Sequence, residues 1–200
     1  LRNLTGLGLA AAEYPMDITQ NMDVYVEVSG LLKALAVNLL KISNDLRLMN
    51  CGPLGGLGEI RLATMQQGSS IMPGKVNPVI PEMVMQTAMR VCANDTAITM
   101  AAGHGEFELN AFGPLMAESI LESLELMGNT VRIFREKAVK TLEVRKENCA
   151  RHLENSFAFA TSYVPVLGYD RVSEILKTYG IKEAKKVLEQ EKHEYEETIN

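Results

Sequence analysis

Residues 17–49, DITQNMDVYVEVSGLLKALAVNLLKISNDLRLM, decide the fold. Val24, Val28, Leu31, Leu35, Leu39, Ile42, Leu46 and Met49 recur at intervals of four and three, with no proline inside the run. That spacing puts them on one stripe of a helix running from Asp17, about 32 residues and roughly 45 Å long at ~1.5 Å per residue. A helix of that length suits a bundle or coiled coil. The same rhythm returns twice. Ile80, Val84, Thr87, Val91, Asn94 and Ile98 form one stripe, and Ile120, Leu124, Met127, Val131, Phe134 and Ala138 form another. Gly103-His104-Gly105 ends the second helix and Pro114 starts the third. Three heptad-patterned segments without a convincing strand predict an all-α fold.

Outside these helices the texture changes. Residues 1–16 carry glycines and Pro15 and read as irregular. Residues 50–68 hold Gly52, Pro53, Gly55, Gly56, Gly58 and Gly68, a long loop of the kind that is usually functional or disordered. After residue 141 the segments shorten: one near 145–163, one from an Asp170 N-cap to a Gly180 stop, and one from Lys182 into a charged, fraying end. The reading is residues 1–141 as part of a helical bundle and 142–200 as a small helical C-terminal domain.

Composition narrows the function classes. The net charge of −5 argues against nucleic acid as the main partner. Cys51, Cys92 and Cys149 lie far apart without a CxxC, which gives no zinc or redox signature and suits a reducing cytosol. No apolar run is long enough to span a membrane. Starting at Leu1, the chain is expected to be a piece of a longer protein. The Gly6-Leu7-Gly8-Leu9-Ala10-Ala11 match to a dinucleotide fingerprint has no preceding strand and reads as a simple loop. His104, His152 and His193 are too scattered for a local metal site. Thr87 and Asn94, polar within a stripe, are expected to pair across helices.

The segment Gly68-Ser69-Ser70-Ile71-Met72-Pro73-Gly74-Lys75-Val76-Asn77-Pro78 carries the chemistry. Two hydroxyls, a cation and an asparagine precede a helix that Asn77 would cap, with Pro78 at its first position. The free N–H groups of a helix start favour an anion, and Lys75 adds a full positive charge. Glycines let backbone approach a ligand closely. From the residues alone, an anion site and a capped loop remain equally open, and neither serine is singled out as reactive.

The same eleven residues resemble the signature of the aspartase/fumarase superfamily. The likeness extends to Leu4-Thr5-Gly6-Leu7, Lys41-Ile42-Ser43-Asn44-Asp45-Leu46-Arg47, Gly58-Glu59-Ile60, Val91-Cys92-Ala93-Asn94-Asp95 and Glu108-Leu109-Asn110, covering about residues 1–178. Val79-Ile80-Pro81-Glu82 after the signature, and Thr19-Gln20, look like aspartate ammonia-lyases rather than class II fumarases. The resemblance implies a reaction: a proton leaves the carbon beside one carboxylate, an aci-carboxylate forms, and ammonia or water is expelled to give fumarate. It implies Ser69 as the base and Ser70 as a support for the carboxylate where charge develops. Lys75 and Asn77 would grip the other carboxylate, and Glu82 would support a histidine elsewhere in the chain. No cofactor and no metal are implied for the chemistry. The substrate would be a small dicarboxylate, aspartate or fumarate.

In such lyases the site combines three signature regions from three subunits of a tetramer. Two of those regions are absent here, so the chain resembles the C-terminal part of an aspartate ammonia-lyase and is expected to be inactive alone. A class II fumarase is the near alternative. A non-catalytic helical assembly module that keeps the fold is the alternative of another class, against which the intact Ser69, Lys75 and Asn77 weigh. The 68–74 loop is expected to be mobile and to close over substrate.

Overall fold

In the computed structural model, which describes residues 1–52 and 55–199, two short helices come first: α1, Arg2–Thr5, and α2, Pro15–Gln20. Helix α3, Asp23–Asn50, follows, then α4, Val79–Ala102, and α5, Gly113–Phe134, which runs into a π-helical turn at Arg135–Val139. Beyond lie α6, Lys146–Glu154, a 3-10 turn at Phe157–Ser162, α7, Val164–Leu167, α8, Tyr169–Thr178, and α9, Ile181–Ile199. The fold is all-α. Among the described residues the named strands are two residues long, β1 at Ile60–Arg61 and β2 at Glu143–Val144, and they pair with each other. Pro53, placed by the sequence in the glycine-rich loop, lies outside the described residues.

The chain separates into two compact units: Leu1–Gly56 with Ile60–Glu143, and Leu57–Glu59 with Val144–Asn200. The first is built on α3, α4 and α5. Its core is a ladder of three clusters: Ile98, Ala101 and Met116; Ala36, Ala88, Val91 and Met127; and Ile60, Leu62, Val84, Phe134 and Ala138. Small residues set how closely the helices approach. Ser29, Ala36 and Ser43, seven apart on α3, are the residues of that helix that are fully buried. Each brings little side-chain bulk to the seam, so Leu32, Leu39 and Leu40 can close around it.

This seam differs from the expected stripe. Val24, Leu31, Leu35 and Ile42 are 64%, 68%, 43% and 44% exposed, so α3 carries a second apolar face turned outward. On α5, Leu124 and Val131 are likewise exposed, and the buried line is Met116, Ser119, Ser123, Met127, Thr130 and Phe134. Polar pairing explains the rotation. Asn94 of α4 donates to the Ser119 carbonyl at 3.3 Å, to Ser123 Oγ at 3.0 Å and to Glu122 Oε2 at 2.7 Å. Thr130 donates to Thr87 Oγ1 at 3.2 Å. A buried amide must find partners, and the helix presents its hydroxyl face to supply them. Thr87 and Asn94 thus pair across helices, as their stripe positions predict. On the other side of α4, the buried Asp95 accepts from Ser29 Oγ at 2.9 Å and from Lys33 Nζ at 2.6 Å.

Other boundaries also shift. The long helix starts at Asp23 rather than Asp17, because Asn21 is extended and the Thr19 carbonyl accepts from Asn110 N–H instead of continuing a helix. Asp170 lies inside α8, which Gly168 (φ +81°) precedes. Gly180 starts α9 rather than ending α8, its carbonyl accepting from Ala184 N–H. Helix α9 continues to Ile199, with Ala184 and Leu188 in a core shared with Ala160, Tyr163, Val172 and Ile175. Glu189 and Glu191 accept from Tyr163 and Arg171.

Leu57–Glu59 belongs to the second unit through four contacts from α6 and the residue before it. Asn148 donates to the Gly58 carbonyl at 2.7 Å, Arg145 N–H to the Glu59 carbonyl at 2.8 Å, and Cys149 Sγ reaches that carbonyl at 3.7 Å. His152 Nδ1 lies 2.8 Å from Glu59 Oε1.

Candidate active site

The segment 68–78 folds back on itself before α4. Gly68 N–H donates to the Lys75 carbonyl at 3.0 Å, Lys75 N–H to the Met72 carbonyl at 3.2 Å, and Asn77 Nδ2 to the Gly68 carbonyl at 3.3 Å. Two glycines make the turn possible. A Cβ at Gly68 would stand 2.4 Å from the Lys75 oxygen, and Gly74 adopts φ +80°.

Inside the turn, Ser69 Oγ accepts two backbone hydrogen bonds, from Ile71 N–H at 3.1 Å and Met72 N–H at 3.0 Å. Ser70 and Lys75 are exposed, and Ile71 and Met72 turn their side chains into solvent, at 86% and 51% exposure. The ring therefore brings Ser69 and Asn77 into one hydrogen-bonded turn, while the side chains of Ser70 and Lys75 project from it.

Asn77 does not cap α4. The helix starts at Val79, Pro78 (ψ 65°) precedes it, and the Asn77 side chain is spent on the loop, while its carbonyl accepts from Val79 N–H at 2.9 Å. Glu82 lies in the first turn of α4, its N–H donating to the Pro78 carbonyl. A carboxylate there complements the helix dipole.

Facing it is Arg47, in the last turn of α3. Its NH2 stands 3.6 Å from Glu82 Oε1 and its NH1 3.6 Å from Met85 Sδ. Arg47 Nε, and Ser43 Oγ one turn earlier, are buried without a hydrogen-bond partner among the described residues. A half-exposed ion pair adds about 0–1 kcal/mol. A buried polar atom left unsatisfied costs about 1–3 kcal/mol. As a stability device, this arrangement loses more than it gains.

Arg47 and the Ile71 and Met72 amides are not singled out by residue type alone. The Ser43–Arg47 spacing of four, one turn of helix, was the available signal for the first. The Ser-x-x pattern before Pro73-Gly74 was the signal for the second. The histidines stay apart: His104 Nδ1 is 2.7 Å from the Met100 carbonyl, His152 meets Glu59, and His193 meets Glu197 at 3.4 Å. No group of three potential metal ligands occurs among the described residues. None of the described helices is long and apolar enough to cross a membrane.

Comparison with known proteins gives a consistent result. A family described as Lyase matches residues 1–93. A class II fumarate hydratase from Xylella fastidiosa (strain 9a5c) is 46% identical over 94% of the chain and 40% of that protein. An aspartate ammonia-lyase from Bacillus subtilis (strain 168) is 42% identical over 88% of the chain and 37% of that protein. Among solved structures, a Brucella melitensis protein described as fumarate lyase:delta crystallin superposes with a TM-score of 0.83 at 43% identity, over 92% of this chain and 44% of that one. A class II fumarase from Schistosoma mansoni gives 0.84 at 30% identity, over 94% and 42%. The chain spans about two fifths of the length of the curated relatives it matches.

Proposed function

We propose, from the premise that the chain belongs to the aspartase/fumarase superfamily, that it is the C-terminal part of a lyase that eliminates ammonia from aspartate to give fumarate. The observation that carries this reading is the pair of N–H groups on Ser69 Oγ. A serine hydroxyl is a poor base unless its alkoxide is held, and two backbone amides at about 3 Å hold it without reorganisation.

In this reading Ser69 takes the proton from the carbon beside one carboxylate, and the carbon–hydrogen electron pair moves into that carboxylate to form the aci-carboxylate. Ser70 donates to the oxygen where this charge grows. The electrons then return to form the carbon–carbon double bond as the carbon–nitrogen bond breaks and ammonia departs. Lys75 grips the second carboxylate. Asn77 does so with the N–H left over from its bond to Gly68, since a primary amide carries two donors. Glu82 supports a histidine elsewhere in the full-length chain, in the signature regions that these 200 residues lack. Closing the loop would bury Ile71 and Met72, expel water and strengthen every one of these interactions. The apolar outer face of α3 would pack against further copies in a cytosolic homo-oligomer, with each site completed by other subunits.

The fumarase reading has an observation of its own, the 46% identity to the Xylella enzyme against 42% to the Bacillus ammonia-lyase. The Val79-Ile80-Pro81-Glu82 run favours the ammonia-lyase. Assaying the full-length protein for ammonia release from aspartate and for malate formation from fumarate separates the two. Ser69→Ala in that protein should lower turnover by about 10²–10⁴-fold, the span of a lost general base. Near-normal turnover in the variant refutes the assignment, and absence of both activities in the wild type favours an assembly module.

A further inference from the structure

The buried, unpartnered Nε of the arginine that meets Glu82 points to a role that stability does not explain. Arg47 is, among the described residues, the one base within ion-pair distance of Glu82. It reaches from the last turn of α3 to the first turn of α4, at the root of the Ser69 loop. Its contacts are shaped by its plane: NH2 faces Glu82, NH1 faces Met85 one turn along α4, and Nε is buried without a hydrogen-bond partner among the described residues, as is Ser43 Oγ one turn earlier on α3. Ser43 is 0% exposed. Polar atoms kept buried at a cost to the fold are a mark of functional sites.

We propose that Arg47 is a positioning residue for the candidate site: it fixes the orientation of the Glu82 carboxylate at the start of α4. The proposal rests on the lyase reading, in which Glu82 acts in the site. A guanidinium is a rigid fork that addresses two acceptors at set angles, whereas a lysine ammonium is a single point on a flexible stem. Arg47 therefore fixes a direction, which a point charge alone would leave open. It touches neither substrate nor reacting atoms, and acts only through Glu82.

The test uses the full-length protein with Arg47→Met, Arg47→Lys, Glu82→Gln and the Met/Gln double variant, each followed for kcat, KM, pH profile and thermal midpoint. Displacing Glu82 should lower kcat by about 10- to 100-fold in Arg47→Met with KM within about twofold, as expected for a misplaced group away from the bond-breaking atoms. The pH profile should move with it, Arg47→Lys should recover part of the loss, and the double variant should be no slower than Glu82→Gln alone. Multiplicative losses in the double variant, or an Arg47→Met enzyme within about twofold of wild-type kcat, overturn the proposal. If Arg47→Met does not fold, Arg47→Lys decides, and wild-type kcat and pH profile there overturn it. Turnover that survives Glu82→Gln unchanged removes Glu82 from the site and this proposal with it. A full-length wild type without lyase turnover defeats the lyase reading itself.

Discussion

Gly68 and Lys75 are joined across the candidate loop by a 3.0 Å hydrogen bond, and a Cβ on Gly68 would lie 2.4 Å from the Lys75 oxygen. Backbone cannot yield at that distance as a flexible side chain would. Gly68→Ala should open the ring that places Ile71 and Met72 N–H on Ser69 Oγ. In the full-length protein it should cost roughly 10- to 100-fold in turnover, with the helical circular dichroism unchanged. Unchanged turnover would show that the ring is not needed.

Asn110 is buried, donates to the Ala101 and Ala102 carbonyls at 3.0 and 3.2 Å, and accepts from Phe112 N–H at 2.9 Å. It satisfies carbonyls that the end of α4 leaves without helical partners. Asn110→Ala should destabilise the fold by about 1–3 kcal/mol. For a chain of this size that is a fall of roughly 2–4 °C in thermal midpoint per kcal/mol, measurable by calorimetry.

Glu122 accepts from Asn94 Nδ2 at 2.7 Å and from Arg90 Nε and NH2 at 3.0 and 3.2 Å. The Asn94 hydrogen bond first, and Arg90 second, hold its carboxyl below the ordinary glutamate value. The group binds its proton less readily folded than unfolded, so its stabilisation is complete above the ordinary value and is lost as pH falls through the lowered one. The difference in thermal midpoint between wild type and Glu122→Gln should be widest near neutrality. It should begin to close below about pH 4.3. A difference independent of pH would refute the ionic contribution.

Leu31 and Leu35 belong to the exposed apolar face of α3. Contiguous apolar surface on a helix favours association. Sedimentation should find the 200-residue chain self-associated, and Leu31→Asp with Leu35→Asp should shift it to monomer without loss of helix. A wild-type monomer at high concentration would count against it.

Three long helices were legible because a period of 3.6 is written in the spacing of apolar residues, and the 68–78 segment was legible because glycines, serines and a lysine cluster there. Which stripe of α3 meets its neighbours was not. Ser29, Ala36 and Ser43 make the seam by being small, while Val24, Leu31 and Leu35 carry the stronger periodic signal on the outer face. A periodicity argument reports that a face is apolar, and is silent on what covers it. Asn77 misled for a related reason: its residue type suits a helix cap and a loop clamp equally well, and the Gly68 carbonyl won it. The two amides on Ser69 are backbone, and the Ser-x-x pattern before Pro73-Gly74 was their one trace in the sequence. The Arg47–Glu82 pairing joins positions 35 residues apart, so it needed the α3–α4 packing to become visible.

The capture of Leu57–Glu59 by α6 makes the smaller unit discontinuous along the chain. Recombination with a relative by a single crossover near residue 143 would import one parent's His152 and Asn148 against the other parent's Glu59 and Gly58. An intact transplant needs two exchanges, one for the three-residue strap and one for the tail. Chimaeras of this lineage should therefore tolerate double crossovers at these borders far better than single ones, because the strap and the tail are inherited as one module.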